Sequence, residues 1–329
     1  MRPARPALIG AALSLALVAG GCASSSGSDA KASASAASAA SAASRTALDK
    51  VLIKGTAAAP TLDLPSKPLT VSETTTKLVT RGTGAMLTDK LALTVNYLIV
   101  NGKDGKQIES SFGKAKAGLD LADGKLLPGL RKGLLGQQVG SRVLVAVPPK
   151  EAFGDAGNSQ IGVGATDTVL FLVDIVTATT PLTSAQGDPV APKAGLPTVV
   201  PGKDPKTPAK ITVPKADPPK ALVVQPLVNG KGAKVVAGQT LRVAYTGVIW
   251  KDGRQFDSSA TTANGWAQFP IGVGQVIKGW DKALVGRPVG SRLLLVVPPG
   301  DGYGSAGQPN AGITGTDTLV FVVDLLAAS

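Results

Sequence analysis

The stretch Val139-Gly-Ser-Arg-Val-Leu-Val-Ala-Val-Pro-Pro149 occurs a second time in the chain, as Val289-Gly-Ser-Arg-Leu-Leu-Leu-Val-Val-Pro-Pro299. A second segment, Lys103–Ser111, returns as Lys251–Ser259. The copies lie 148 to 150 residues apart, whereas the units of solenoid proteins span roughly 20–50 residues. The repeat therefore indicates the duplication of a whole domain.

The composition around the two copies predicts the domain boundaries. We expect one domain over residues 48–178 and another over 197–329, each large enough for a single hydrophobic core. Ten prolines lie between Pro181 and Pro219. Residues 179–196 are accordingly predicted to be a stiff, extended linker rather than a packed element.

The N-terminus predicts export and membrane attachment. Residues 1–22 have a basic start and an apolar stretch, Ala7–Val18, that is too short to span a bilayer. The stretch ends at Ala19-Gly-Gly-Cys22, which resembles the bacterial lipobox, so we predict a lipoprotein signal peptide and lipidation of Cys22. Acyl chains on Cys22 would hold the protein to the cell membrane on its extracytoplasmic side. An ordinary secretory peptide that leaves a free thiol is the alternative.

Residues 23–47 consist almost wholly of Ala, Ser and Gly. Such a stretch has little apolar surface to bury, so we expect a flexible tether. An Ala-rich helix is the alternative, which the interleaved serines disfavour.

The composition excludes several kinds of chemistry. The chain has no histidine and a single cysteine, so histidine-based triads and imidazole metal ligands are excluded. We therefore expect neither a metal nor a cofactor. Its net charge is +12, but the basic residues are scattered and aromatic residues make up 4%, so we predict a solvated surface and no nucleic-acid partner.

The periodicity within each copy predicts an α+β fold. Apolar residues alternate in Thr240–Tyr245, and the short Val- and Leu-rich runs Ser291–Val297 and Thr318–Leu326 are typical of strands inside a sheet. A single apolar stripe with helical spacing lies between these strands, in Val276–Leu284. Copy one has the matching stripe, with Pro128 in its first turn.

Copy two resembles the FKBP-type peptidyl-prolyl cis-trans isomerases, and the similarity extends over nearly all of it. The motifs that carry it are Ala244-Tyr-Thr-Gly247, Asp252-Gly-Arg-Gln-Phe-Asp-Ser-Ser259, Phe269-Pro-Ile-Gly-Val-Gly-Gln-Val-Ile-Lys-Gly-Trp280, Gly302-Tyr-Gly304 and Thr318-Leu-Val-Phe-Val-Val-Asp-Leu325. The resemblance implies two domains, each a curved antiparallel half-barrel around one short helix. It also implies an apolar pocket for a proline ring between helix and sheet.

The resemblance also implies the site residues. Tyr245, Asp257 and Tyr303 would be catalytic. The substrate would be bound by Phe256, Phe269, Val276, Ile277, Trp280, Ile313 and Phe321. Trp280 would form the floor, and the Ile277 N–H and the Tyr303 hydroxyl would bind substrate carbonyl groups. Macrolide inhibitors are further ligands that the resemblance implies.

The pocket residues differ between the copies. Sequence alignment pairs Phe256 with Ile108, Asp257 with Glu109, Trp280 with Leu130, Tyr303 with Phe153, Phe269 with Leu121 and Ala267 with Leu119. We therefore expect copy one to fold alike and to isomerise proline poorly or not at all. In copy two, Ala267 stands where the family usually has an aromatic residue, so one wall is either open or covered by Trp266.

These observations predict a membrane-anchored, extracytoplasmic prolyl isomerase with its activity in the C-terminal domain. Its partners would be X-Pro segments of exported proteins, whose uncatalysed isomerisation takes roughly 10–100 s. The alternative is a non-catalytic chaperone or peptide-binding scaffold that uses both domains.

Overall fold

The computed structural model describes residues 28–329, and the predicted signal peptide with Cys22 lies outside them. Each repeat folds around its own antiparallel sheet, and we call the folded repeats the first and the second domain. The first domain contains α1 (Ser28–Asp49), β1 (Leu52–Thr56), β2 (Ala59–Asp63), β3 (Thr75–Thr80), β4 (Ala92–Asn101), β5 (Gln107–Ser110), β6 (Ala117–Asp120), α2 (Pro128–Leu134), β7 (Arg142–Val147) and β8 (Val169–Thr179). The second contains β9 (Gly187–Pro189), β10 (Thr198–Val200), β11 (Lys210–Thr212), β12 (Val223–Gly230), β13 (Thr240–Ile249), β14 (Gln255–Ser258), β15 (Ala267–Pro270), α3 (Lys278–Leu284), β16 (Arg292–Val297) and β17 (Leu319–Ala328).

The two sheets share one topology. The first has the order β3-β7-β8-β4-β5 with β6 paired to β4. The second has the same arrangement, β12-β16-β17-β13-β14 with β15 paired to β13, and adds β9 beside β12. Both are irregular at the same place, because the pairing register shifts between Thr94 and Val95 in β4 and between Arg242 and Val243 in β13. Neither sheet closes into a barrel, so the predicted α+β fold of two half-barrel domains is confirmed.

Both faces of each sheet are buried, which explains the uninterrupted apolar runs. In β16, Leu293 and Leu295 belong to the core that contains α3, whereas Leu294 and Val296 belong to a second core on the opposite face. The first domain divides its β7 residues in the same way between two cores.

A two-stranded hairpin lies ahead of each curved sheet and contributes to that second core. The hairpin is β1–β2 in the first domain and β10–β11 in the second. Ile211 on β11 packs with Val248 of β13 and with Trp250, which follows that strand. The Trp250 indole N–H donates to the carbonyl oxygen of Ala216 at 2.8 Å. The duplicated unit therefore contains a hairpin as well as a half-barrel.

The two short helices lie where the apolar stripes predicted them. Pro128 is the first residue of α2, where a missing N–H costs no helical hydrogen bond. The helix α3 begins two residues later than its apolar stripe, at Lys278. Gly279 lets it approach the sheet, since a Cβ there would lie 2.7 Å from Cγ1 of Val297.

The structure differs from our expectation of a flexible coil over residues 23–47, because α1 is helical from Ser28 to Asp49. Its C-terminal turns have tertiary partners. Leu48 is 1% exposed in the core of the first domain, and Ser44 Oγ lies 3.2 Å from Ser72 Oγ. Among residues 28–329, no helix is both long and apolar enough to cross a membrane.

The linker also differs from the unpacked connector that its prolines predicted. Three residues after β8 ends, Leu182 N–H donates to Leu326 O at 2.9 Å, and Ala185 N–H donates to the Asp324 carboxylate at 3.0 Å. Residues Gly187–Pro189 then form β9 at the edge of the second sheet. An edge strand tolerates proline because one side of its backbone is unpaired.

Candidate active site

A cleft of about 610 Å³ opens between α3 and the concave face of the second sheet. It is lined by Tyr245, Phe256, Asp257, Phe269, Gly274, Gln275, Val276, Ile277, Lys278, Trp280, Asp281, Gly302, Tyr303 and Phe321. Nine of the ten predicted catalytic and substrate-binding residues are therefore brought together by β13, β14, β15, α3, β17 and the loops beside them.

Trp280 forms the centre of an aromatic cup. Its ring meets those of Tyr245, Phe269 and Phe321 edge to face, with centroids 5.3, 5.6 and 5.4 Å apart. Each such pair contributes about 0.5–1.5 kcal/mol beyond burial, so the neighbouring rings fix the orientation of the indole. Trp280 is 5% exposed, and its indole N–H has no hydrogen-bond partner among the described residues.

Polar groups stand at the rim of the cup. The Tyr245 hydroxyl donates to Oδ2 of Asp257 at 2.7 Å, and burial together with this bond raises the pKa of Tyr245. Burial, followed by the negative charge of Asp257, also raises the pKa of Tyr303. Both phenols are therefore protonated at neutral pH. Tyr303 is 38% exposed and lines the cleft, so its hydroxyl can donate a hydrogen bond to a bound peptide.

A second donor comes from the residue before α3. Ile277 caps the helix with extended backbone angles, and its N–H donates no hydrogen bond to another described residue. The loop that leads to it is held by the Asp281 carboxylate, which accepts hydrogen bonds from Gly272 N–H at 2.6 Å and Gly274 N–H at 2.8 Å. Asp281 thus fixes the loop that carries Val276 and Ile277.

Gly247 is a site residue that the sequence analysis missed. A Cβ at this position would lie 2.7 Å from Cζ of Phe256 and 2.9 Å from Cε1 of Phe321. These two rings meet edge to face with centroids 5.5 Å apart, directly over the glycine. A comparison of the two copies could have identified Gly247, because the first domain has Ile99 at the equivalent position of β4.

The residues that line the cleft include neither Ile313, which was predicted there, nor Trp266, which was one of two alternatives for the wall beside Ala267. Ile313 does not line the cleft but is 3% exposed within the core, where its backbone pairs with that of Gln308. Trp266 does not cover the wall beside Ala267. Its ring lies against the guanidinium group of Arg242, with Cζ 3.6 Å from the ring centroid. Trp266 comes directly before β15, whose first residue is Ala267.

The strand register also corrects the pairing of residues near Phe269. In β13, Leu241 pairs with Phe269, whereas the equivalent Leu93 of β4 pairs with Leu119. The counterpart of Phe269 is therefore Leu119 rather than Leu121, and that of Ala267 is Ala117. The two-residue difference lies ahead of β15, in the segment that contains Trp266.

The first domain retains part of the polar rim around a different interior. Burial, followed by a hydrogen bond to Glu109, raises the pKa of Tyr97, as for the Tyr245–Asp257 pair. Leu130 is 6% exposed where the second domain has its indole, and Ile108 and Phe153 pack against the same core. In the part of the chain that the structure describes, no group of three acidic, Cys or His residues could hold a metal ion.

Comparisons with known proteins agree with this geometry. A family model for FKBP-type peptidyl-prolyl cis-trans isomerases matches the chain twice, over residues 85–176 and 231–326. Both matches begin after the hairpins β1–β2 and β10–β11.

The similar proteins carry related names. An FK506-binding protein of Streptomyces anulatus is 38% identical over 118 residues, which are 36% of this chain and 94% of the relative. A probable FK506-binding protein of Corynebacterium glutamicum is 36% identical over 121 residues, 36% of this chain and 97% of the relative. Among solved structures, the three FKBP domains of wheat FKBP73 match 78% of this chain and 94% of theirs, with 21% identity and a TM-score of 0.32.

Proposed function

The chain belongs to the FKBP-type peptidyl-prolyl cis-trans isomerase family, and from that premise we propose that its catalytic centre is the aromatic cleft of the second domain. The chain is thus an isomerase of X-Pro peptide bonds. The observation that carries the assignment to one domain is the cup around Trp280, with two donors at its rim.

The reaction needs no covalent step. Amide resonance makes the peptide bond planar and sets a barrier of about 18–20 kcal/mol, although the two X-Pro isomers are nearly balanced. A catalyst must therefore bind the twisted amide, which has lost its resonance dipole, better than the planar one. A dry aromatic cup favours the twisted form because it excludes the water that stabilises the more polar planar amide.

The residues of the cleft supply matching contacts. Trp280 would support the proline ring, and Tyr245, Phe269 and Phe321 would surround it. The Ile277 N–H and the Tyr303 hydroxyl would hold the flanking carbonyl groups of the peptide and so orient the bond that rotates. Asp257, fixed by the Tyr245 hydroxyl, would face the amide as it twists.

Three substitutions in the full chain test this assignment. The rate of cis-trans exchange of a Leu-Pro peptide should fall towards the uncatalysed rate in Tyr303→Phe and in Asp257→Val, because each removes a group at the rim. The same change of acid to valine in the first domain, Glu109→Val, should leave the rate unaltered. A rate that follows Glu109 rather than Asp257 would assign the activity to the first domain.

A second candidate function has its own observation. The first domain keeps the Tyr97–Glu109 pair and Phe171 around an apolar floor, which suits the binding of a peptide without turnover. In this reading, both domains hold exposed Pro-containing segments as a chaperone or scaffold. It requires that Leu-Pro peptides bind two sites per chain, and that Asp257→Val leaves the capacity of the chain to suppress aggregation of an unfolded client unchanged.

The cellular setting is also a proposal. We infer from Cys22 and the residues before it that the chain is lipidated, attached to the cell membrane, and extracytoplasmic, where it assists the folding of exported proteins. Mass spectrometry of the mature chain tests this, since Cys22→Ala should abolish acylation and release the protein from the membrane fraction. Macrolide ligands are a further proposal, tested by competition between FK506 and a Leu-Pro peptide.

A further inference from the structure

The two domains meet through a buried ion pair. Asp120, at the end of β6 in the first domain, lies 2.7 Å from Nη2 of Arg242 on β13 of the second, and the two side chains are 2% and 9% exposed. The Asp120 carboxylate also accepts a hydrogen bond from Gln268 Nε2 at 2.6 Å. One carboxylate of the first domain thus holds two side chains of the second.

Those two side chains lie behind the pocket. Arg242 pairs with Gln268 across the ladder of β13 and β15. Side chains alternate along a strand, so Gln268 points away from the cleft while its neighbour Phe269 points into it. Asp120 therefore contacts the back of the strand whose front forms one side of the aromatic cup.

The backbones of the domains are also close. A Cβ at Gly118 of β6 would lie 2.7 Å from Cβ of Thr240, the first residue of β13. The linker adds a short connection, since only Thr180 and Pro181 separate β8 from Leu182, which bonds to β17. The first domain thus contacts the β13–β15 pair at Thr240 and at the Arg242–Gln268 position of the ladder.

Both charges of this ion pair are buried. Burial raises the pKa of Asp120 and lowers the pKa of Arg242, so each charge depends on the other. Neither Nε nor Nη2 of Arg242 has a hydrogen-bond partner among the described residues, so the contact with Asp120 is one of charge. Removal of one member of a buried pair leaves the other charge uncompensated, so its position would change.

We propose that Asp120 is a positioning residue for the isomerase pocket, and that the first domain supports catalysis by holding β15 and Phe269 in place. The proposal rests on the assignment of catalysis to the second domain. It gives the first domain, whose pocket lacks the indole and the phenol of Tyr303, a role in the reaction of its partner.

The test compares substitutions in the full chain by steady-state exchange of a Leu-Pro peptide. Asp120→Asn keeps the size of the side chain and the oxygen that accepts a hydrogen bond from Ala122 N–H, but removes the charge. We expect the KM to rise about threefold or more, with a smaller change in kcat, because a displaced Phe269 weakens binding of the proline ring. Asp89→Asn, an exposed acid of the same domain, is the matched control and should behave as wild type.

Two further variants make every outcome decisive. Gly118→Ala disturbs the interface without a change of charge and should also raise the KM; if Asp120→Asn fails to fold, this variant decides. A merely structural role would lower kcat with the active fraction and leave the KM unchanged, and that result would overturn the proposal. Asp257→Val separates the two claims: if it loses activity while Asp120→Asn and Gly118→Ala keep the wild-type KM, only the positioning role fails, and if it too stays active, the assignment of the catalytic domain fails.

Discussion

The close contact of two aromatic rings over Gly247 makes this glycine the sharpest probe of the cleft. In Gly247→Ala, the added methyl group would stand 2.7 Å from Phe256 and 2.9 Å from Phe321, where carbon atoms need about 3.5–4.0 Å. Phe321 is 4% exposed and confined by the core, whereas Phe256 is half-buried at the rim. The relief should therefore come from an outward movement of Phe256.

The magnitude follows from these contacts. An extra methyl group in a well-packed site costs about 1–3 kcal/mol, and the edge-to-face pair of Phe256 and Phe321 contributes about 0.5–1.5 kcal/mol that would be lost. If about 1.4 kcal/mol of this falls on the transition state, kcat/KM drops about tenfold. The remainder should lower the free energy of unfolding by about 1 kcal/mol.

Exchange kinetics with a Leu-Pro peptide and urea unfolding measure the two parts separately. The matched substitution is Ile99→Ala in the first domain, which removes side-chain atoms at the equivalent position. It should reduce stability and leave kcat/KM unchanged. If Gly247→Ala retains kcat/KM within twofold of wild type, the cleft wall relaxes freely and the argument from close contact is refuted.

Three further predictions concern the loop, the rim and the first helix. Asp281→Ala should raise the KM because Gly272 and Gly274 lose their acceptors, and Asp281→Asn, which keeps one acceptor oxygen, should be intermediate; equal values for the two variants would contradict this. The pKa of Tyr245 is raised in the folded state, so the tyrosine of the unfolded chain ionises first as the pH rises. The free energy of unfolding should therefore fall above about pH 10, and it should fall less in Tyr245→Phe. Urea unfolding at pH 8 and pH 11 measures the difference. Leu48→Ala should lower the free energy of unfolding by about 2–5 kcal/mol if the end of α1 belongs to the first core, and an unchanged melting curve would exclude that.

The sequence predicted those features that depend on local pattern. The alternation in Thr240–Tyr245 became β13, and the two apolar runs that follow it became β16 and β17. The stripes at Trp280 and Leu130 became α3 and α2. Most of the site could be found because its residues lie within motifs whose order is the same in both copies and in the family.

The misses share a different cause, since each depends on contacts between distant parts of the chain. Serine-rich composition disfavoured a helix over residues 23–47. The helix Ser28–Asp49 nevertheless forms, and its Leu48 packs into a core whose other members are up to 124 residues away, so burial outweighs propensity. The prolines of the linker predicted an unpacked connector, so the strand Gly187–Pro189 was missed. Its partner is β12. The register of β15 could not be read from sequence, because a two-residue insertion beside Trp266 shifts the alignment without any break in the apolar pattern.

The substitutions that distinguish the two clefts compensate one another in side-chain volume. Where the second domain has Gly247 beneath Phe256, the first has Ile99 beneath Ile108, so a loss of side-chain volume on β5 accompanies a gain on β4. Cores tolerate such exchanges when total volume is kept, which explains how the first domain keeps its fold without the aromatic cup. Ile99 and Ile108 both pack against the core of the first domain, so a larger side chain at position 108 would compete with Ile99 for space. The first domain thereby keeps a packed core without the tryptophan-centred cup, and its strand β6 carries the Asp120 carboxylate that pairs with Arg242 of the second domain.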